Sequence, residues 1–459
     1  MQKLDLGRLV KLAEELPNTG PRYTSYPSAN HFVEDDFREA YRREWRRSTG
    51  PISIYVHVPF CRTVCYYCAC NRIHTANRVH AETYHKHLCE EIRIQARTTG
   101  RRRVTQLHFG GGTPTSLSHA QMAAVFDELH RCYDLSDAAD RDFSIELDPR
   151  KVTAERVGQL VELGFNRISI GVQDFDPKVQ KAINRIQSEA ETAAVIEAAR
   201  AAGVQSVSVD LIYGLPRQST DGLAQTLRKT LSLDPDRISL YHYAHLPQMF
   251  KTQRQIRSEE LPDRDLRLAL FSAAIATLTE NGYRYLGMDH FAKHADPLVK
   301  ALHDGSLERN FMGYSTHGHC DLLGLGISSI GQVGPLYTQN CKTLNDYYAA
   351  IDDGRLPLVK GLERTPDDEL RAWVIQSLMC QLVLDKAVFE ARFHTRFDDV
   401  FAAREQTRTQ LAELAGRGLV EVDDERIAVT ELGRFFLRNI CMAFDAYLNP
   451  QQSNHSRTA

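Results

Sequence analysis

The sequence predicts an α/β fold: a partial (β/α)6 barrel with an N-terminal arm and a small C-terminal helical, winged-helix-like domain. Three observations predict it. Six short apolar runs between residues 52 and 241 alternate with helical patterns. The junctions after those runs are polar or glycine-rich, and barrel chemistry sits at such strand ends. From about Thr365 the pattern changes to helices followed by a hairpin. The expected divisions are 1–48 for the arm, 49–290 for the barrel, 291–362 for a barrel-completing and connecting segment, 363–450 for the C-terminal domain and 451–459 for a disordered tail.

The arm begins MQKLDLGRLVKLAEEL, charged throughout and without the apolar core of a signal peptide. The β-rich runs are Ile52–Val58, Val104–Phe109, Phe143–Leu147, Arg167–Ile170, Val207–Ile212 and Ile238–Tyr241. Helical patterns intervene at Ala81–Ala96, Ala120–Arg131, Ala154–Leu163, Glu189–Ala202 and Leu223–Ser232. Such alternation implies parallel pairing with right-handed crossovers. The strands read as apolar on both faces or nearly so, as parallel strands under helices do. Six units are too few to close an eight-stranded barrel, so one side is expected to stay open to a large substrate.

After Pro247 the alternation stops. A helix is expected over Asp263–Asn281, then a strand-like YRYLGMDHF, then an irregular glycine-rich stretch from Gly313 to Gly334. In the last domain GLVEVDDERIAV reads as two short strands around Asp423–Asp424, followed by a helix from Glu431 to about Tyr447. This domain fits a lid or brace better than a reader of nucleic acid.

Hydrophobic residues make up 42% of the 459 and charged residues 25%, ordinary values for a soluble globular enzyme. A net charge of −3 gives no pull toward nucleic acid, and the runs Arg42–Arg43, Arg46–Arg47 and Arg101–Arg103 read as solvated faces. No stretch approaches the ~20 apolar residues of a membrane span. A cytoplasmic monomer with reduced thiols is expected. Four of the ten cysteines fall between Cys61 and Cys70 while the rest are scattered, and that asymmetry is the main clue.

The loop reads CRTVCYYCAC: Cys61, Cys65 and Cys68 in a Cys-x3-Cys-x2-Cys arrangement, with Cys70 beyond. Thiolates suit iron–sulfur clusters or zinc. Structural zinc wants four closed ligands, typically in two pairs far apart in sequence. Three thiolates on a four-iron cluster leave one iron open to a small molecule. One unit later comes Gly110–Gly111–Gly112–Thr113, whose missing side chains let backbone approach a ligand. Taken alone, such a turn is also a phosphate loop or merely a tight turn.

The cysteine loop resembles that of the radical S-adenosylmethionine superfamily. Further stretches are similar to the oxygen-independent coproporphyrinogen III oxidases: PRYTSYP (Pro21–Pro27), IYVHVPFCRTVCYYCACN, QLHFGGGTPT, IELDPR, GFNRISIGVQDF, INR, DLIYGLP, YAHLP, GMDHFA, DLLGLGISSI and NICMAFDAYL. These span nearly the whole chain. The resemblance implies a barrel of radical S-adenosylmethionine type and a [4Fe-4S] cluster on Cys61, Cys65 and Cys68. It implies a first S-adenosylmethionine chelated at the open iron, with Gly111 and Gly112 toward its methionine end, Glu146 toward its ribose or amine and Tyr55 toward its adenine. Thr113 stands where many superfamily members carry glutamate.

A second S-adenosylmethionine is implied at Tyr67, Gly112, Thr113, Gln173, Arg185, Asp210, Ala244 and Ile330. The implied reaction turns two propionates of coproporphyrinogen III into vinyl groups with loss of two CO2, giving protoporphyrinogen IX for haem synthesis. The implied electron source is a donor such as a flavodoxin or ferredoxin system. Arg22 is the candidate to meet a substrate carboxylate. His57, His108, His242 and His290 lie near strand ends, and the sequence singles out no catalytic residue among them. The alternative is a haem-binding carrier or chaperone on the same scaffold, whose members typically lack PRYTSYP and the fourth cysteine; this chain has both. A radical enzyme that methylates or opens haem is a third reading, which the barrel motifs by themselves leave open.

Overall fold

The computed structural model describes residues 6–17, 19–138 and 141–448, so the expected tail 451–459 lies outside the described residues. Six parallel strands form the centre of one large sheet: β1 (Ile52–Val58), β2 (Arg103–Gly111), β3 (Asp142–Leu147), β4 (Arg167–Gln173), β5 (Ser206–Tyr213) and β6 (Arg237–His242). They lie side by side in chain order, each separated from the next by a helix. Side-chain caps start those helices: Ser118 with Gln121, and Ser188 with Glu191, form reciprocal capping boxes that satisfy otherwise orphaned N–H groups.

The strands are not apolar on both faces, as the sequence reading had it. Ile54, Val56, Leu107, Phe109, Ile145, Ile170, Val209 and Leu240 belong to the core under the helix layer and are fully buried. The alternate positions are polar. Gln106, His108, Ser144, Glu146, Ser169, Ser208, Asp210 and Ser239 line one shared cavity of about 140 Å³, so the sheet curls around them. An inner face that holds a ligand needs donors and acceptors, and the two-residue period of a strand separates them from the core face.

The sheet extends beyond the six units at both ends. Beside β6 runs an antiparallel hairpin, β7 (Tyr283–Gly287) and β8 (His290–Lys293). Beside β1 lies β9 (Asp321–Leu325), parallel to it with Leu322 opposite Ser53. β10 (Ile330–Val333), β11 (Leu336–Asn340) and β12 (Leu358–Glu363) follow antiparallel, and the short strand Val33–Glu34 of the arm pairs with β12. The stretch Gly313–Gly334 is therefore largely ordered strand, which corrects its reading as irregular. Its glycines are packing residues: a Cβ on Gly324 would lie 2.7 Å from the Ile330 carbonyl oxygen.

In the C-terminal region, helix Pro366–Gln381 leads to strand Val383–Asp385, helices Lys386–Phe393 and Glu405–Gly416, and the hairpin Val420–Val422 and Arg426–Val429. The strand 383–385 pairs with the hairpin, completing a winged-helix-like three-stranded sheet. The final helix is Leu437–Met442, shorter than the expected 431–447. Gly433–Phe436 is a 3-10 turn that packs on the Leu419 carbonyl. Residues beyond the helix turn to meet the arm, where the Ala446 N–H donates to Tyr26 Oη at 2.9 Å.

This region shares a core with both the arm and the barrel's edge. Leu9, Leu12, Tyr23 and Tyr26 pack together with Leu286, Leu298 and Tyr314 and with Leu378, Met379, Leu437 and Ile440. Arg438 donates to the carbonyls of Gly20 and Pro21, Asn439 Nδ2 to the Pro17 carbonyl at 2.8 Å, and Tyr23 Oη to Asp445 at 2.9 Å. A chain ending at Gly361 would expose that apolar surface. We expect such a fragment to be insoluble or molten by near-ultraviolet circular dichroism. A soluble fragment with native near-ultraviolet signal would show that the barrel does not depend on this brace.

Candidate active site

The end of β1 presents Tyr55 and His57 and then runs into the cysteine loop. Glycine is required where β2 meets it. The Gly112 N–H donates to the Val58 carbonyl at 2.8 Å, and a Cβ there would lie 2.7 Å from the backbone of Pro59. Gly111 has φ +112°, and a Cβ on it would lie 2.6 Å from the His57 ring. The glycines thus let two strand ends abut, a packing reason alongside the ligand-approach reading.

The loop is pinned on several sides. Its neck closes through Ile73 N–H to the Pro59 carbonyl (2.7 Å) and Thr75 N–H to the Cys61 carbonyl (3.0 Å). Asn184 Nδ2 donates to the Val64 carbonyl (2.8 Å), Gln253 Nε2 to that of Tyr67 (2.9 Å) and Arg72 to that of Cys65 (3.2 Å). Cys65 is buried, Cys61 and Cys68 are half-buried, and Cys70 is exposed. Burial pushes the Cys61 thiol up to about 11, partly offset by a contact with Thr113 Oγ1 at 3.5 Å. Hydrogen bonding from Cys70, and then the charge of Arg72, pulls Cys68 down, and the same bond holds Cys70 up.

Among the described residues no group of three or more His, Cys, Asp or Glu side chains is drawn together as a single ion requires. The three thiols nevertheless sit in one another's electrostatic field, with Arg72 and Arg185 supplying positive charge. Soft donors, a common loop and compensating cations fit an anionic iron–sulfur cluster.

Two polar sets face this loop. In the first, Tyr55 Oη meets His57 Nδ1 at 3.1 Å, the Tyr55 and His108 rings stack at 5.8 Å, and His108 Nε2 lies 3.3 Å from Glu146 Oε1. Glu146 Oε2 accepts from the Gly111 N–H at 3.2 Å. In the second, Arg185 donates to the Gly171 carbonyl at 2.5 Å and to Cys65 Sγ at 3.6 Å, and it pairs with Asp148 at 3.6 Å. Gln173, at φ +69°, converges with Arg185 over Gly171: a Cβ there would lie 2.7 Å from Gln173 Nε2 and 3.0 Å from Arg185 Nη2. The Tyr67 phenol is held up by burial and feels Arg185 and Cys65.

Asp210 sits opposite Gly171 in register and accepts from Ser169 Oγ at 3.0 Å. Burial first, and then repulsion from Glu146, pushes its carboxyl up to about 6. The Ala244 carbonyl accepts from Gln253 Nε2 at 3.1 Å. Ile330 begins β10, its carbonyl packed on Gly324, which lies opposite Tyr55 in register.

Arg22 enters from the arm. It forms an ion pair with Asp289 and lies 5.9 Å from the Tyr241 ring centroid. Tyr213, Arg267, Arg438 and His242 surround this pair; burial, and then Arg267, pushes His242 down to about 3. Asp289, Arg438, Asp148 and Ser169 were not singled out from the sequence. GMDHFA, IELDPR and GFNRISIGVQDF contained three of them, but the partners that tie them to the site, Arg22, Arg185 and Asp210, lie elsewhere in the chain.

Residues 55–230 match the Radical SAM superfamily model, and residues 365–436 match the HemN C-terminal domain model. An oxygen-independent coproporphyrinogen III oxidase of Pseudomonas aeruginosa is 45% identical over 434 residues, covering 94% of this chain and 94% of the relative. That of Escherichia coli is 44% identical over 440 residues, covering 96% of this chain and 95% of the relative. A solved structure described as "Coproporphyrinogen III oxidase (HemN) from Escherichia coli is a Radical SAM enzyme" superposes with TM-score 0.91 at 42% identity, covering 97% of this chain and 100% of that one. Among the described residues no helix is long and apolar enough to cross a membrane.

Proposed function

This chain belongs to the oxygen-independent coproporphyrinogen III oxidase family, and we propose that Cys61, Cys65 and Cys68 hold the cluster that drives its reaction. It is an oxidoreductase of haem biosynthesis that converts coproporphyrinogen III to protoporphyrinogen IX. The observation that carries this reading is the cysteine loop itself, with three thiols on one pinned turn and the Arg185 guanidinium 3.6 Å from Cys65 Sγ. When bound, the cluster supplies one electron that splits S-adenosylmethionine and so provides a 5′-deoxyadenosyl radical.

The protein's own residues orient and seal. Tyr55 on β1 and Glu146 on β3 would hold the first S-adenosylmethionine. Tyr67, Gln173, Arg185 and Asp210, with Gly112, Thr113, Ala244 and Ile330 around them, hold a second. Two propionates call for two radical equivalents, and Arg185 supplies the fork that suits a carboxylate. Each propionate would give one hydrogen atom, from the carbon nearest the ring, to a 5′-deoxyadenosyl radical, and then lose CO2 and pass one electron to a one-electron acceptor, leaving a vinyl group. Arg22 meets a carboxylate of the macrocycle; its support is its place beside the Tyr241 ring, at the end of the strand that carries His242. The electron donor is a flavodoxin- or ferredoxin-like carrier, and the enzyme works as a monomer in the cytoplasm.

The test is anaerobic incubation of the loaded enzyme with coproporphyrinogen III, S-adenosylmethionine and a reductant. Protoporphyrinogen is expected; a protein that binds haem and forms no product would be a carrier. Asp210 gives a pH signature. Its neighbours are Ser169, Ser239, Glu146 and His108, and its carboxyl titrates near 6. Below that pH it is protonated and stops acting as an anionic acceptor. Turnover should fall up to about tenfold per pH unit below 6, the limit for one ionisation. Asp210→Asn should sit on the low plateau at every pH between 5 and 8, and a wild-type profile from that variant would remove Asp210 from the site.

A further inference from the structure

The cysteine loop has an outer face as well as the one turned to the barrel. A groove of about 540 Å³ runs between residues 62–66 of the loop and the 3-10 turn Lys251–Gln255. It shares no lining residue with the barrel cavity that holds Glu146 and Asp210. Three features set it apart from an ordinary solvated surface.

The first is charge. Its nine lining residues include Arg62, Lys251 and His74 and no Asp or Glu, although the chain has 59 acidic residues and a net charge of −3. The exposed Arg254 adjoins it on the same turn. The second is apolar exposure. Ile186 (69% exposed) and Met249 (56%) are two of seven large hydrophobics that stand out among the described residues, and each is two residues from a groove wall, Asn184 or Lys251. Cations mixed with exposed apolar side chains mark a protein-docking surface more than a small-anion site.

The third feature is rigidity and reach. Arg72 joins the walls, donating to the Cys65 carbonyl at 3.2 Å and to Thr252 Oγ1 at 3.1 Å. The floor rests on a small core of Val179, Ile183, Leu215, Tyr243 and Ile256, against which Tyr66 packs. The wall from Arg62 to Tyr66 is covalently continuous with Cys61 and Cys65, so a carrier seated here is separated from the thiols by little more than one turn of backbone.

We propose that this groove docks an acidic one-electron carrier protein that reduces the cluster held by Cys61, Cys65 and Cys68, a proposal that rests on the function argued above. The step balances simply: the carrier loses one electron and is released oxidised, the cluster gains that electron, and no proton or bond changes hands. Cationic rims steer such encounters, raising association rates by about 10 to 10³-fold at low ionic strength.

The test uses the full chain with its cluster loaded and a reduced flavodoxin as the acidic probe. Bleaching of the cluster absorbance on anaerobic mixing gives the reduction rate without reference to turnover. In Lys251→Glu/Arg254→Glu protein the rate with flavodoxin should fall at least about tenfold, while dithionite reduces the variant as fast as the wild type. Lys251→Gln/Arg254→Gln should fall between, and the wild-type rate should drop as salt is raised. Equal flavodoxin rates in wild type and the Glu variant, a salt-insensitive wild type, or equal reduction by a basic carrier would overturn the docking role. A parallel fall with dithionite would overturn it too, because it would mean damage to the loop. Failure of dithionite to reduce the wild-type protein would instead strike at the cluster assignment.

Discussion

Cys65→Ala protein purified without oxygen is expected to contain no cluster iron, no broad visible absorbance and no turnover. Cys61→Ala and Cys68→Ala should behave alike. Cys65 is the buried member of the set, with the Arg185 guanidinium beside its sulfur and Arg72 on its carbonyl. Cys70 is the other thiol of the loop, but it is exposed and its own N–H donates to Cys68 Sγ at 3.4 Å. That contact gives Cys70 a supporting part, so Cys70→Ser should keep its iron while turning over more slowly. Full iron in all three alanine variants would sink the ligand assignment, and loss of iron from Cys70→Ser would enlarge the ligand set to four.

The second large effect is expected at Arg185. The side chain is almost fully buried, and its guanidinium is divided between the Gly171 carbonyl, Gln187, Cys65 and Asp148. Asp148 keeps a second partner, because Arg150 holds both its oxygens at 2.8 and 2.6 Å. The fold should therefore survive Arg185→Ala, whereas a carboxylate bound at this point would lose its counter-charge. Breaking one side of such a buried pair costs about 3–5 kcal/mol, or roughly 10²- to 10⁴-fold. Turnover should fall by that factor with iron content unchanged. Arg185→Lys keeps the charge without the planar fork and should recover part of the activity. Normal turnover in the alanine variant would dismiss the second cofactor site, and loss of iron would assign Arg185 to holding the loop.

Much of the fold was legible, for reasons that differ between elements. The six barrel strands and five helices lie where hydrophobic runs and capping residues put them, because each is specified by its own local pattern. The polar inner face is also written there: FSIEL, RISIG, SVSVD and RISLY alternate strictly, their apolar positions masking the polar ones between them. The strands from Asp321 to Asn340 were hidden because glycines replace side chains where strands or loops press together, as at Gly324. The last helix is shorter than its pattern suggests because a 3-10 turn precedes it and contacts with the arm, rather than its own sequence, fix its end.

The same division holds at the site. Ligands carried on one loop announce themselves by spacing. Arg22 and Asp289 are 267 residues apart, and Arg438 reaches the arm across 417. No local pattern couples such pairs; only the shared core of arm, hairpin and C-terminal helices brings them together.

The most direct test of the whole account is a count of products from one anaerobic reaction of the loaded enzyme. Coproporphyrinogen III, S-adenosylmethionine and reductant are supplied, and CO2, 5′-deoxyadenosine and protoporphyrinogen IX are measured together. One radical equivalent per propionate predicts two CO2 and two 5′-deoxyadenosine for each protoporphyrinogen formed. 5′-Deoxyadenosine released without CO2 or protoporphyrinogen, while coproporphyrinogen III remains intact, would contradict the account.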